Sequence, residues 1–237
     1  MTSITIDTAD GAMPAEQVDA QPGTGRAVIV IQEAFGVNGH IVDLCHRFAK
    51  VGWTAVAPAL FHRQGSPVIP YDDVPKVMPI MQALTAEGIG ADIDATSDAL
   101  VAQGYPVERQ AVVGFCMGGT VTFHAAVQRP FGAAATFYGG GITEGRWGYP
   151  GMAAQAGQLQ TPWLGLFGDR DGGIPVDQVE QLRQAAAEQA KVDTEVVRYA
   201  EAQHGFHCDE RPAVFDADAA ADAWARTLAW FDAHIPA

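Results

Sequence analysis

Ala111-Val112-Val113-Gly114-Phe115-Cys116-Met117-Gly118-Gly119 is the stretch on which the fold turns. A short apolar strand, Ala111–Val113, runs into a glycine-rich turn, and the residues beyond it predict a helix through Gln128. The spacing is G-x-nucleophile-x-G, with cysteine at the nucleophile position. A turn this tight between strand and helix forces its central residue into a strained backbone conformation. The flanking glycines let strand and helix approach, and the helix N-terminus beneath the side chain favours a thiolate. A lone cysteine is more often a small buried hydrophobe, but this context makes Cys116 a candidate nucleophile. Glycine-rich loops also cradle phosphate, yet neither G-x-G-x-x-G nor a Walker lysine is present.

Outward from the elbow, strands and helices alternate. Ala27–Ile31 is a continuous apolar run of the kind buried on both faces of a sheet. His40–Val51 reads as a helix closed by Gly52, and Trp53–Pro58 as the next strand. A polar, proline-rich stretch occupies Arg63–Pro75. Ile89–Gln103 is a second helix, Ala133–Tyr138 and Trp163–Phe167 are strands, and Val176–Ala190 is a helix. Thr194–Tyr199 is a further strand, and Ala219–His234 closes the chain as an amphipathic helix with Trp224, Leu228 and Phe231 on one stripe. Strands separated by helices pair in parallel through right-handed crossovers. The expected fold is a single α/β domain over residues 1–237, a doubly wound, mostly parallel sheet flanked by helices. Chemistry in such sheets sits in the loops at the carboxyl ends of the strands.

Two more such loops carry reactive residues. Phe167-Gly168-Asp169-Arg170-Asp171-Gly172-Gly173-Ile174-Pro175 offers Asp171 to orient an imidazole, with Asp169 as a rival whose ordinary role is a turn residue. Ala202-Gln203-His204-Gly205-Phe206-His207 offers His204 as general base, with His207 as its rival. The chain order nucleophile, acid, histidine is that of α/β-hydrolases. Three loops therefore agree on one mechanism, with Cys116, Asp171 and His204 as its triad.

Bulk properties narrow the partners. A formal charge of −14 over 237 residues repels nucleic acid and anionic membrane surfaces. The N-terminus lacks a basic, then apolar, secretory pattern, and no apolar run is long enough to span a bilayer. Three cysteines without a CxxC pair argue against a disulfide framework and a zinc site, and for a reducing, cytoplasmic setting. No metal or cofactor is expected. Two other classes remain open: a binding or sensory protein on a hydrolase fold, and a thiol redox protein, which the missing CxxC disfavours.

With Gln32-Glu33-Ala34-Phe35-Gly36-Val37-Asn38, Gly114–Gly119, Gly168–Asp171 and His204-Gly205-Phe206, nearly the whole chain resembles the dienelactone hydrolase family, the carboxymethylenebutenolidases. The resemblance implies a cysteine-dependent hydrolase of small carboxylic esters or lactones that works through a thioester, commonly as a monomer. It implies that Glu33 contacts the resting thiol. It puts the oxyanion hole at the backbone N–H groups of Met117 and Ala34. Phe35, Arg211 and Trp147 are candidate substrate contacts. The sequence departs from the family pattern where arginines hold a substrate carboxylate. The position four residues after His204 is Cys208, with Arg211 three further on, and the segment before the helix Ile89–Gln103 has Lys76 as its one cation between Tyr71 and Lys76.

Overall fold

The computed structural model describes all 237 residues. Eight strands form one sheet in the order β1-β2-β4-β3-β5-β6-β7-β8. They are β1 (Thr2–Thr8), β2 (Gly11–Val18), β3 (Ala27–Ile31), β4 (Thr54–Pro58), β5 (Gln110–Phe115), β6 (Ala133–Phe137), β7 (Trp163–Gly168) and β8 (Thr194–Tyr199). From β4 through β8 every neighbouring pair is parallel. Every residue of β3, β4, β5, β6 and β7 is buried, as the continuous apolar runs predict.

Alternate residues of β3 feed opposite layers. Val28 and Val30 pack with Ile41, Leu44 and Phe48 of α1 (Gly39–Lys50), while Ile29 and Ile31 pack with Ile89, Ile93 and Leu100 of α3 (Ala86–Ala102). Asn38 starts α1 by accepting a hydrogen bond from the N–H of Ile41 at 3.2 Å. The other helices are α2 (Val74–Gln82), α4 (Met117–Gln128), the short α5 (Met152–Gln155), α6 (Val176–Gln189) and α7 (Ala217–His234). No helix is long and apolar enough to cross a membrane.

Two elements correct the sequence expectation. Strands and helices do not alternate throughout, because β1 and β2 form an antiparallel hairpin, and β2 pairs antiparallel with β4. The hairpin turns at Ala9-Asp10, between Thr8 and Gly11, and Gly11 has φ 119°. Secondly, the helix α2 lies between the proline-rich stretch and α3. Pro75 sits at its start, where the missing N–H costs nothing, but Pro79 lies within it and interrupts the helical signal.

Candidate active site

Cys116 ends the run of β5 and caps α4 with φ 57° and ψ −117°, a conformation that an L-residue adopts only under strain. The surroundings hold it there. Its N–H donates to the carbonyl of Phe137 at 3.1 Å, and its carbonyl accepts from the N–H of Gly119 at 3.0 Å. The glycine spacing is a steric necessity. A Cβ on Gly114 would lie 2.0 Å from the Gly118 carbonyl oxygen, and one on Gly118 would lie 2.5 Å from that of Ile31. Strand and helix thus meet backbone to backbone under the thiol.

His204 lines the same pocket as Cys116. Its Nδ1 is 2.6 Å from Oδ2 of Asp171, which is buried and whose Oδ1 accepts from the N–H of Gly173 at 2.8 Å. The loops after β7 and β8 are stitched together, since the N–H of Arg170 donates to the Ala202 carbonyl at 2.9 Å. Burial alone would lower the His204 pKa, but its hydrogen bonds and charge interactions with Asp171 and Cys116 raise it to about 10. The rivals are engaged elsewhere. Asp169 accepts two hydrogen bonds from Arg198, at 2.7 and 2.6 Å. His207 is buried among Phe115, Phe137 and Trp224, and burial lowers its pKa to about 3, helped by the charges of His40 and Arg47.

Glu33 follows β3 and is fully buried. The one hydrogen bond to its carboxylate comes from the Tyr138 hydroxyl at 3.4 Å, and its Oε2 has no partner. The contact with the thiol that the family resemblance implies is therefore not among its hydrogen bonds. Tyr138 lies at the end of β6 with φ 39°, and its ring centroid is 5.1 Å from that of His204. Burial, then the charges of Glu33, Cys208 and Cys116, push the Tyr138 hydroxyl well above its ordinary pKa. It stays a neutral donor.

The N–H of Ala34 donates to no group in the protein, and that of Met117, the first residue of α4, has no helical partner. Both are available to an oxyanion. No three His, Cys, Asp or Glu side chains converge in metal-ligand geometry.

The pocket holding Cys116 and His204 has a volume of about 80 Å³, with Met81, Met117, Ile174 and Arg146 among its walls. Arg146, in the loop after β6, is a wall residue that no sequence motif marks. Of the candidate contacts, Phe35 and Arg211 come together. Phe35 packs edge-on to Tyr71 with centroids 4.7 Å apart, and the Arg211 guanidinium stands 5.7 Å and 5.4 Å over the two rings. Trp147 is not a pocket wall: its indole N–H donates to the Met81 carbonyl at 2.8 Å. Cys208 is buried, and its thiol is 3.3 Å from the Tyr71 hydroxyl. Lys76 is exposed and paired with Asp73. Lys50, Arg109, Arg146, Lys191 and Arg211 have no carboxylate partner, in a chain with twice as many acids as bases.

Residues 13–235 match the model of the dienelactone hydrolase family. The chain is 34% identical, over 97% of its length and 87% of the relative's, to a Yersinia pestis protein named provisionally as a carboxymethylenebutenolidase. An Escherichia coli protein of the same provisional name is 36% identical over 92% of this chain and 82% of its own. Among solved structures, a protein from Klebsiella pneumoniae described provisionally as a dienelactone hydrolase superposes with a TM-score of 0.87 at 36% identity, covering 97% of each chain. A Pyrococcus furiosus esterase shares the fold, with a TM-score of 0.72 at 13% identity over 98% of this chain and 91% of its own. The chain belongs to the dienelactone hydrolase family of carboxylic ester and lactone hydrolases.

Proposed function

We propose that this protein hydrolyses small carboxylic esters or lactones through a thioester on Cys116. The observation that carries the reading is the pocket in which Cys116, strained at its elbow, lies with His204 while buried Asp171 holds the far nitrogen of that imidazole. The Cys116 thiolate attacks the carbonyl carbon. The N–H groups of Ala34 and Met117 stabilise the oxyanion that forms. His204 gives its proton to the leaving alkoxide, then takes one from the water that attacks the thioester, and the acid departs as the thiolate returns. Asp171 fixes the imidazole tautomer throughout. Glu33, a buried carboxylate held by Tyr138, is the group we assign to coupling substrate entry with thiolate formation.

The reading uses no metal and no cofactor. The three free cysteines fit a reducing compartment, and the chain is proposed to act as a monomer. On substrate, the unpaired cations Arg146 and Arg211 favour an acyl group that carries an anion, in keeping with the provisional carboxymethylenebutenolidase name of the relatives. The test is hydrolysis of p-nitrophenyl acetate and of a dienelactone by wild type and Cys116→Ala side by side. The expected result is a loss of kcat/KM of about 10⁴-fold in the variant. Wild-type rates in Cys116→Ala would end this reading.

A further inference from the structure

The pocket around Cys116 is small, about 80 Å³, so a substrate of more than a few heavy atoms must reach past its walls or displace one. The least anchored of those walls is α2. Val77 is its one buried residue, Val74 and Met78 are both 52% exposed, and Met81 near its end roofs the pocket. That end and the start of α3 are fastened by one short segment, Trp147–Tyr149. The Trp147 indole N–H holds the Met81 carbonyl at 2.8 Å. The Trp147 carbonyl accepts from the N–H of Ala86 at 2.6 Å, and the Tyr149 hydroxyl donates to the Ala86 carbonyl at 3.0 Å. The backbone bends sharply to make this clasp: Trp147 has φ 57° and Gly148 has φ 92°. A non-glycine residue keeps such a conformation only when its surroundings impose it.

We propose that Trp147 is a positioning residue that sets substrate size: its indole latches the Met81 end of α2 over Cys116, and substrates with a longer acyl chain enter only when the latch opens. The proposal rests on Cys116 being the reactive thiol. One neutral hydrogen bond biases such an equilibrium by on the order of fivefold, which sets the size of the expected effect.

Two variants loosen this clasp at different bonds, the first at α2 and the second at the start of α3. Trp147→Phe keeps an aromatic ring and deletes the N–H. Ala86→Pro deletes the N–H that holds the Trp147 carbonyl, at the first position of α3, where proline fits a helix well. The first readout is the ratio of kcat/KM for p-nitrophenyl hexanoate over p-nitrophenyl acetate. The second is the ratio of rates at which N-benzyliodoacetamide and iodoacetamide alkylate Cys116, followed by peptide mass spectrometry. Both ratios are expected to rise about fivefold in either variant, which loss of general stability would not produce. Ratios within twofold of wild type, in whichever variant folds, overturn the latch. If wild type shows no Cys116-dependent hydrolysis, the proposed reaction falls, and the alkylation ratio still decides the latch by itself.

Discussion

All six residues of β5 and eleven of the twelve in α4 are buried, whereas α2, facing them across the pocket, buries Val77 alone. The two walls differ in kind. The floor is backbone against backbone, with no room for one added methyl at Gly114 or Gly118. The roof is a nine-residue helix held to a neighbouring loop by one hydrogen bond. Close-packed regions transmit any change of shape, and loosely packed ones open locally. On the proposed reaction, reactivity is set on the floor and access on the roof.

The largest expected effect on the floor side is Asp171→Asn. Kinetics with p-nitrophenyl acetate should show kcat lower by about 10³–10⁴-fold, since the amide leaves His204 free to adopt the wrong tautomer. The same variant should alter alkaline stability. His204 has a folded pKa raised to about 10 from its ordinary 6.5, so it adds stability that is complete below pH 6.5 and is lost as the pH rises through 10. Thermal melts from pH 7 to 10.5 should therefore fall more steeply for wild type than for Asp171→Asn, and equal slopes would count against the charge pairing.

Next is Gly118→Ala. Its new Cβ would strike the carbonyls of Ile31 and Gln32 at 2.5 and 2.6 Å, both backbone, so β3 and α4 must separate. Urea unfolding should show a loss of about 3 kcal/mol. A variant as stable as wild type would show that the floor is looser than its geometry states. An exposed roof position such as Met78→Ala makes the natural contrast.

The smallest effect concerns acid. Buried neutral His207 and His124 have pKa values lowered to about 3 and about 4, in both cases mainly by burial. The unfolded chain binds protons at these sites below pH 6.5 and the folded chain does not, so stability falls as the pH drops from 6.5 towards 3. His207→Phe, between Phe115 and Phe137, should lose less stability than wild type between pH 7 and pH 4.5, read as the shift in urea midpoint. An unchanged shift would mean that His207 is protonated in the folded state.

What could be read from the sequence follows the same division. The elbow was legible because its glycines answer a steric demand that any such turn makes, so residue type and spacing carry the information locally. Asp171 and His204 were legible because each occupies a loop that follows a strand, fully buried β7 for the first and half-buried β8 for the second. Tyr138 was not, because its contact with Glu33 exists only once β6 lies beside β5 and β5 beside β3, a matter of sheet order that no local pattern records. The β1–β2 hairpin left a local trace, Asp10-Gly11 between alternating residues Ile4, Ile6, Met13 and Ala15, but its exposed edge gives a weaker apolar signal than the inner strands. In α2, Pro75 and Pro79 break the helical pattern, and in the loop after β6 Arg146 has nothing periodic around it that would separate it from Trp147.

At the tip of the elbow a residue with a side chain occupies backbone angles that suit glycine, and the molecule tolerates this because strand, helix and the Phe137 carbonyl leave no alternative. A glycine at 116 would relieve strain of about 1–3 kcal/mol and erase the thiol. Selection for robustness alone would therefore drift toward the inert sequence. On the proposed mechanism, cysteine at this position gives up stability for reactivity, and any effort to make this protein hardier should start elsewhere.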